Sequence, residues 1–309
     1  MTDLINYINP GKTQRKIIFI GDNAQLPPIN MNFSPAMNSD YIKNHCHMNS
    51  TESMLKEVVR QGTESGILNI ATSVREGIEN KIFNTFEIKG DHKDVIKINP
   101  DQFIEYYKKV AKENSVVNVI IITHSNLQAL EYNRLIRLER FKDKSETIQK
   151  HDILINIRNN YSGTIELLNG MFLKVLEVGN IIYQKNVIFK IENNETAQRL
   201  LIFREVLVEI DTVDGKKENL KTIILDNFLT SKEGKLDSLD QRALYIDFKE
   251  RMKEKNINTK TDKFKEALKI DPYFNALQAK YGYAITCHKS QGGEWENVMV
   301  DFKIYLLVA

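Results

Sequence analysis

No stretch of this chain approaches the roughly 18 consecutive apolar residues that a membrane-crossing helix needs. Its start shows no basic segment leading into an apolar one, so neither a membrane span nor a signal peptide is expected. Cysteine is nearly absent: Cys46 and Cys287 are the full complement of 2. That excludes a disulfide framework and reads as two free thiols of a reducing compartment. His45-Cys46-His47 has metal-ligating side chains, but no second pair follows at ligand spacing, so no metal is expected there. Charge of one sign is scarce as well. The 43 Lys and Arg against 41 Asp and Glu leave a net charge of +2. This neither argues for nucleic acid nor excludes it, because such binding needs a local basic stripe rather than a basic whole. Internal repeats and low-complexity tracts are absent. What is there is an ordinary globular composition, 42% apolar and 27% charged over 309 residues, for which about two domains is the prior.

The densest chemistry lies between Tyr281 and Val300. An apolar run, Tyr283 to Ile285, ends in Thr286, His288, Lys289, Ser290 and Gln291. Gly292, Gly293, Glu294 and Trp295 follow, then a second strand-like run, Val298 to Val300. A hydroxyl, a cation and a glycine-opened turn at a strand end suit a phosphate or a sugar, since backbone N–H groups can approach closely. A strand–turn–strand with a solvated turn is the other reading.

Near the start, Lys16 to Ile20 is a short continuous apolar run, expected as a parallel strand buried on both faces. Gly21-Asp22-Asn23-Ala24-Gln25-Leu26-Pro27-Pro28 follows directly. Ligands of open α/β sheets collect at the carboxyl ends of strands. The prolines stiffen this loop, and the Gln25 amide both donates and accepts. Gly11-Lys12-Thr13 invites a phosphate-loop reading that fails on context: Asn6 stands where the loop needs glycine, and the strand follows instead of preceding. Asn30 to Thr51 is expected as a long loop with a helical turn. Arg60, within Met54 to Gln61, either pairs with Glu57 or Glu64 on a helix surface or faces a phosphate.

Helices are expected over Ser65 to Glu76, Asp101 to Lys112, Ser238 to Lys253 and Asp262 to Lys269. Ser115 to Ile122 reads as a buried strand. It ends in Thr123-His124-Ser125-Asn126 and a helix follows, a βα unit in which those side chains either cap the helix or contact phosphates. From Phe172 to Asp226 short alternating strands appear, Val187 to Ile191, Leu200 to Ile210 and Leu220 to Leu225, with a hairpin signal at Asp214-Gly215. They suggest a small barrel.

Taken together, these strings resemble the superfamily 1B DNA helicases of the RecD-like group. Gly21 to Pro28 resembles the third motif of that family, G-D-x-x-Q-L-P-P. Leu55 to Gln61 resembles L-x-x-V-x-R-Q. Thr123, Asn126, Asn133 and Arg137 fall on T-x-x-N…N-x-x-I-R, and Arg158, Asn159, Tyr161, Asn169 and Gly170 on R-N-x-Y…N-G. Thr286, His288, Lys289, Gln291 and Gly292 fall on the fifth motif, T-x-H-K-x-Q-G.

The resemblance implies an α/β fold: a partial RecA-like lobe in residues 1–80, and a second RecA-like lobe with a parallel sheet from 81–175 and 278–309. An SH3-like β-barrel and helical subdomain would be inserted over 176–277. It implies an ATP-dependent 5′–3′ helicase or translocase on single-stranded DNA, with ATP and Mg2+ as cofactors of the complete enzyme. Gln25 and Arg60 would act at the γ-phosphate, and Asp22, Gly293 and Glu294 would bind the nucleotide. Thr123, Asn126, Thr286, His288, Lys289, Ser290 and Gln291 would contact DNA. A cytoplasmic setting, bacterial or phage-like and nucleoid-associated, goes with it. The family's phosphate loop, its Asp-Glu magnesium motif and its last motif have no match in this sequence. The chain is therefore expected to resemble a fragment partnered by a missing N-terminal half and to hydrolyse no ATP alone. Lys16 to Ile20, without sheet neighbours, would expose its apolar faces. A non-catalytic single-strand-binding remnant is the alternative, and an unrelated nucleotide-binding α/β enzyme the third.

Overall fold

The structure is a computed structural model and describes residues 1–10, 14–28, 31–55, 65–82, 93–113, 115–163, 165–191, 194–212 and 215–302. The chain divides into two compact units, Met1–Pro100 and Asp101–Ala309. Among the described residues no helix is long and apolar enough to cross a membrane.

The first unit carries α1 (Thr2–Ile8), α2 (Ser39–Cys46) and α3 (Gly66–Glu79). Local chemistry starts the longer two. The Asn38 side chain accepts from the Tyr41 amide at the head of α2, and the Ser65 side chain accepts from the Leu68 amide at the head of α3, each satisfying an amide the helix leaves unpaired. Asp94 accepts from the Ser65 hydroxyl at 2.7 Å and the Gly66 amide at 2.9 Å. The expected strand over Lys16 to Ile20 does not form: these residues pair with no strand, and Ile18 and Ile20 are 82% and 93% exposed. A parallel strand needs neighbours for its backbone groups and cover for both faces, and the described part of this unit offers no strand. Its one buried large apolar side chain among the described residues is Ile42.

The second unit runs α4 (Phe103–Glu113), β1 (Val119–Thr123), α5 (Asn126–Phe141), β2 (Ile153–Asn156), β3 (Phe172–Lys190), β4 (Thr196–Asp211), β5 (Lys217–Leu225), α6 (Ser238–Glu254), α7 (Asp262–Ile270), β6 (Ala279–Tyr281), β7 (Ala284–Thr286), α8 (Cys287–Ser290) and β8 (Asn297–Val300). These strands make two sheets: a three-stranded parallel one in the order β7-β1-β8, and a five-stranded antiparallel one in the order β5-β4-β3-β2-β6. Ile120 of β1, Ile155 of β2 and Ile285 of β7 share one buried cluster with Ile122, Phe172 and Trp295 against it, which ties the sheets together.

The expected short strands are instead one long hairpin and a third strand: β3, β4 and β5 have 19, 16 and 9 residues. Register shifts between Val175 and Tyr183 bend β3 without ending it, as bulges do. The antiparallel sheet curls until its outer strands touch. Ile224 of β5 bridges Leu277, just before β6, through amide–carbonyl bonds of 3.0 and 2.7 Å. Alternate residues of the hairpin, Val187, Phe189, Ala197, Leu201 and Phe203, point inward and pack with Leu244 and Ala243 of α6, the period-two pattern of a half-buried sheet.

Candidate functional site

Parallel strands end on one side, so β1 and β7 deliver their carboxyl ends together, with Thr123 directly beside Thr286. That edge is where α/β sheets place ligands. Two buried polar groups fix it. Asn133 of α5 donates to the carbonyls of Ala129 (2.7 Å) and Ala284 (2.8 Å), and its side-chain oxygen accepts from the amides of Tyr283 (2.9 Å) and Ala284 (3.0 Å). Arg137, one turn on, meets the fully buried Asp152 through two bonds of 2.9 Å. It also donates to the carbonyls of Ser145 and Thr147 and stacks 3.7 Å from the centre of the Tyr281 ring. The Tyr283 hydroxyl donates to the same carboxylate at 2.8 Å. Asn133 and Arg137 thus act as braces holding the approach to β7.

Beside this edge lies a cleft lined by Asn126, Lys280, Thr286, Lys289 and the segment Ser231–Gly234. Its volume of about 30 Å³ has room for about two waters, so a phosphate would meet it at the mouth. Lys280 donates to the carbonyls of Phe228 and Ser231, both at 2.7 Å, and lies 3.9 Å from the centre of the Phe228 ring, holding that segment as a wall. Gly234 is part of the wall because it approaches closely: a Cβ there would lie 2.7 Å from the Asn126 amide nitrogen. Burial, then repulsion from Lys289, pushes Lys280 down to about 7, with Glu233 opposing. Burial also lowers Lys289. Two cations that are costly to keep charged where they sit gain most from an incoming anion.

The other expected DNA residues separate from this cleft. The Thr123 hydroxyl is 2% exposed and lies 3.1 and 3.3 Å from the carbonyls of Ser125 and Ile285, an internal role. Ser125 caps α5 in a reciprocal pair with Gln128. Ser290 donates to the Cys287 carbonyl. His288 stands exposed on α8, and Gln291, Gly293 and Glu294 stand exposed on the turn that follows. A Cβ on Gly293 would lie 2.1 Å from the Trp295 ring, so a packing requirement stands behind this glycine.

In the first unit, the Asp22 carboxylate accepts from both terminal nitrogens of Arg75, at 2.9 and 2.8 Å, and from the Ala24 amide. The Arg75 bond, then the amide, holds it below the ordinary carboxylate range. Gly21 sits where a Cβ would lie 2.9 Å from the Met37 sulfur. Gln25 closes a turn through its amide to the Asp22 carbonyl, 3.1 Å, and its side chain is exposed. Arg60 lies outside the described residues, as does Gly11-Lys12-Thr13. Sequence reasoning missed Lys280 and Arg75. Lys280 sat unremarked in a short buried strand, and nothing local to Arg75 announces a partner 53 positions away.

Fold and site together define a mixed α/β protein with a cationic cleft at the carboxyl edge of its parallel sheet. No family model matches the chain. It is similar to the uncharacterized protein R530 of Acanthamoeba polyphaga mimivirus, with 24% identity over 332 residues, 93% of this chain and 63% of that protein. The chain therefore spans less than two thirds of that relative's length.

Proposed function

We propose that this chain is the strand-gripping part of an ATP-dependent DNA helicase or translocase of the RecD-like kind. The observation that carries the reading is the cleft at the carboxyl edge, where Thr286, Lys289 and Asn126 converge with Lys280. Three of the four come from the resemblance, and the fourth adds a cation to the same place. Backbone phosphates of single-stranded DNA would sit at its mouth, held by charge without base readout. In this reading the second unit is a RecA-like lobe whose curled five-stranded sheet and helices α6 and α7 make up the SH3-like insertion. The first unit is the rear of the other lobe. Its Gln25 senses the γ-phosphate, and Arg60 neutralises charge on the transferred group.

A second reading, single-strand binding without a motor, draws on the same cleft, because two lysines attract a phosphate with no nucleotide present. Measuring ATP hydrolysis with single-stranded DNA, and DNA affinity against salt, separates the two. Salt-sensitive binding is expected, with no hydrolysis by the chain alone. Supplying in trans a segment that carries a phosphate loop and an Asp-Glu motif restores hydrolysis under the first reading and leaves it absent under the second. Lys289→Ala should shallow the log–log salt dependence by roughly one unit. An unchanged slope would remove Lys289 from the phosphate contacts.

A further inference from the structure

A second concavity lies away from the cleft, where the segment after β2 meets the end of α7 and the lead-in to β6. It encloses about 350 Å³, enough for one nucleotide unit, whereas the cleft holds only waters. Its frame is built and fixed. Asn160 donates to the Asn275 carbonyl at 2.7 Å. Asn275 in turn donates to the carbonyls of Leu268, Lys269 and Asp271, tying the loop to the end of α7. The Ser162 amide and hydroxyl donate to the Asn160 side-chain oxygen. Asn159 donates to the Tyr161 hydroxyl at 2.9 Å and accepts from the Asn169 amide, which fixes the ring while leaving it 60% exposed.

The groups left over are of one chemical kind. Arg158 and Lys269 line the pocket, and neither side chain makes a hydrogen bond or ion pair with any described residue. Gln278 is 6% exposed. Its side-chain amide also bonds to no described residue, yet it is not sealed from the pocket it lines. An amide open to a pocket is solvated there, and the polar edge of a ligand can take the place of that water. Two cations unpaired among the described residues suit a phosphate, an exposed and anchored aromatic suits a base face, and an amide at the pocket wall suits the polar edge of that base.

We propose that this pocket takes one nucleotide unit of a single strand: the base stacked on Tyr161 with its edge on Gln278, and the phosphate on Arg158 and Lys269. This rests on the reading above that the chain holds single-stranded DNA, and it adds a second, base-stacking contact to the phosphate contact at the cleft. An acidic protein segment is the competing occupant. The two differ in the need for a planar group: a carboxylate would use the Tyr161 hydroxyl and the Gln278 N–H groups but leave the exposed ring face bare.

The test uses the full chain and a fluorescent oligodeoxythymidylate. Tyr161→Ala and Arg158→Ala, both at exposed positions, are each expected to weaken binding about five- to a hundred-fold. Gln278→Met, which keeps the packing volume, should weaken it less. A strand carrying bromodeoxyuridine should crosslink to Tyr161 on irradiation. Binding that Lys289→Ala weakens but the pocket variants leave unchanged, with crosslinks mapping elsewhere, overturns the pocket and leaves the cleft reading standing. No binding by the wild-type chain overturns both. A polyglutamate peptide that binds in an Arg158-dependent way, with DNA affinity unaffected by the pocket variants, assigns the pocket to a protein partner instead.

Discussion

Asp152 is the residue on which the candidate site most depends, although it touches no solvent. Its carboxylate gathers Arg137, Tyr283 and the Gln149 amide. Removing one partner of a buried pair strands the other charge. Asp152→Ala should therefore lower unfolding free energy by about 3–5 kcal/mol in a urea titration, and a loss under about 1 kcal/mol would show the pair to be dispensable. Lys280 gives the second test. Its folded pKa, near 7, lies below the free lysine value of 10.5. Between these values the unfolded chain binds more protons than the folded one, so this group's contribution to stability grows as pH rises across that window. Anion affinity runs the other way, because the charge that attracts a phosphate is lost as pH passes 7. Oligonucleotide binding should weaken through neutrality in the wild type, and Lys280→Met should flatten that profile. An identical profile in the variant would place the titrating group elsewhere.

Among the elements, the turn between β7 and β8 shows how one glycine serves packing. The Trp295 indole occupies the space a Gly293 side chain would need, and the ring packs edge-on to Phe172 at 5.9 Å. Gly293→Ala must displace it. With a single tryptophan in the chain, the displacement should appear as a red shift of emission, together with a stability loss of about 1–3 kcal/mol. Unshifted emission would mean that the turn absorbs the methyl. The long hairpin carries another lesson. Gly179 falls where β3 shifts register, so close to Glu205 that a Cβ would lie 3.0 Å from its backbone oxygen. A bulge and a turn use the same residues, and only the partner strand separates them. Helices α3 to α7 were legible to within a few residues, α5 and α6 through their capping boxes, Ser125 with Gln128 and Asp237 with Asp240, whereas α2 falls in a stretch that reads as a long loop with a helical turn.

For the whole molecule, the second unit has what independent folding requires: two sheets joined by a shared cluster, a closed hairpin core, and a third cluster of Phe248, Met252 and Phe264 between α6 and α7. The first unit, with Ile18 and Ile20 open to solvent and little buried apolar area among its described residues, has less. Residues 101–309 expressed alone should unfold in one cooperative transition, coincident by circular dichroism and by Trp295 fluorescence. Separate transitions for the two probes would show that the second unit needs the first.

The sequence by itself determined the chain's periodicities, its helix starts, the paired strings around Asp22 to Gln25 and Thr286 to Gln291, and the cationic character of the latter. Short-range chemistry sufficed for these, because capping, alternation and turn residues act within a few positions of each other. Tertiary structure alone decided which polar groups are left for a ligand. Thr123 looks like a binding residue in the string and is consumed by a carbonyl 162 positions away, and Asn133 and Arg137 of the same string are taken up by a distant carbonyl and a buried carboxylate. Lys269 and Gln278 look ordinary and line a pocket with side chains that bond to no described residue, and Lys280 has one of its three N–H donors left at the cleft after bonding the carbonyls of Phe228 and Ser231. A side chain's availability depends on what long-range packing has already paired it with, and that is not written in its neighbours.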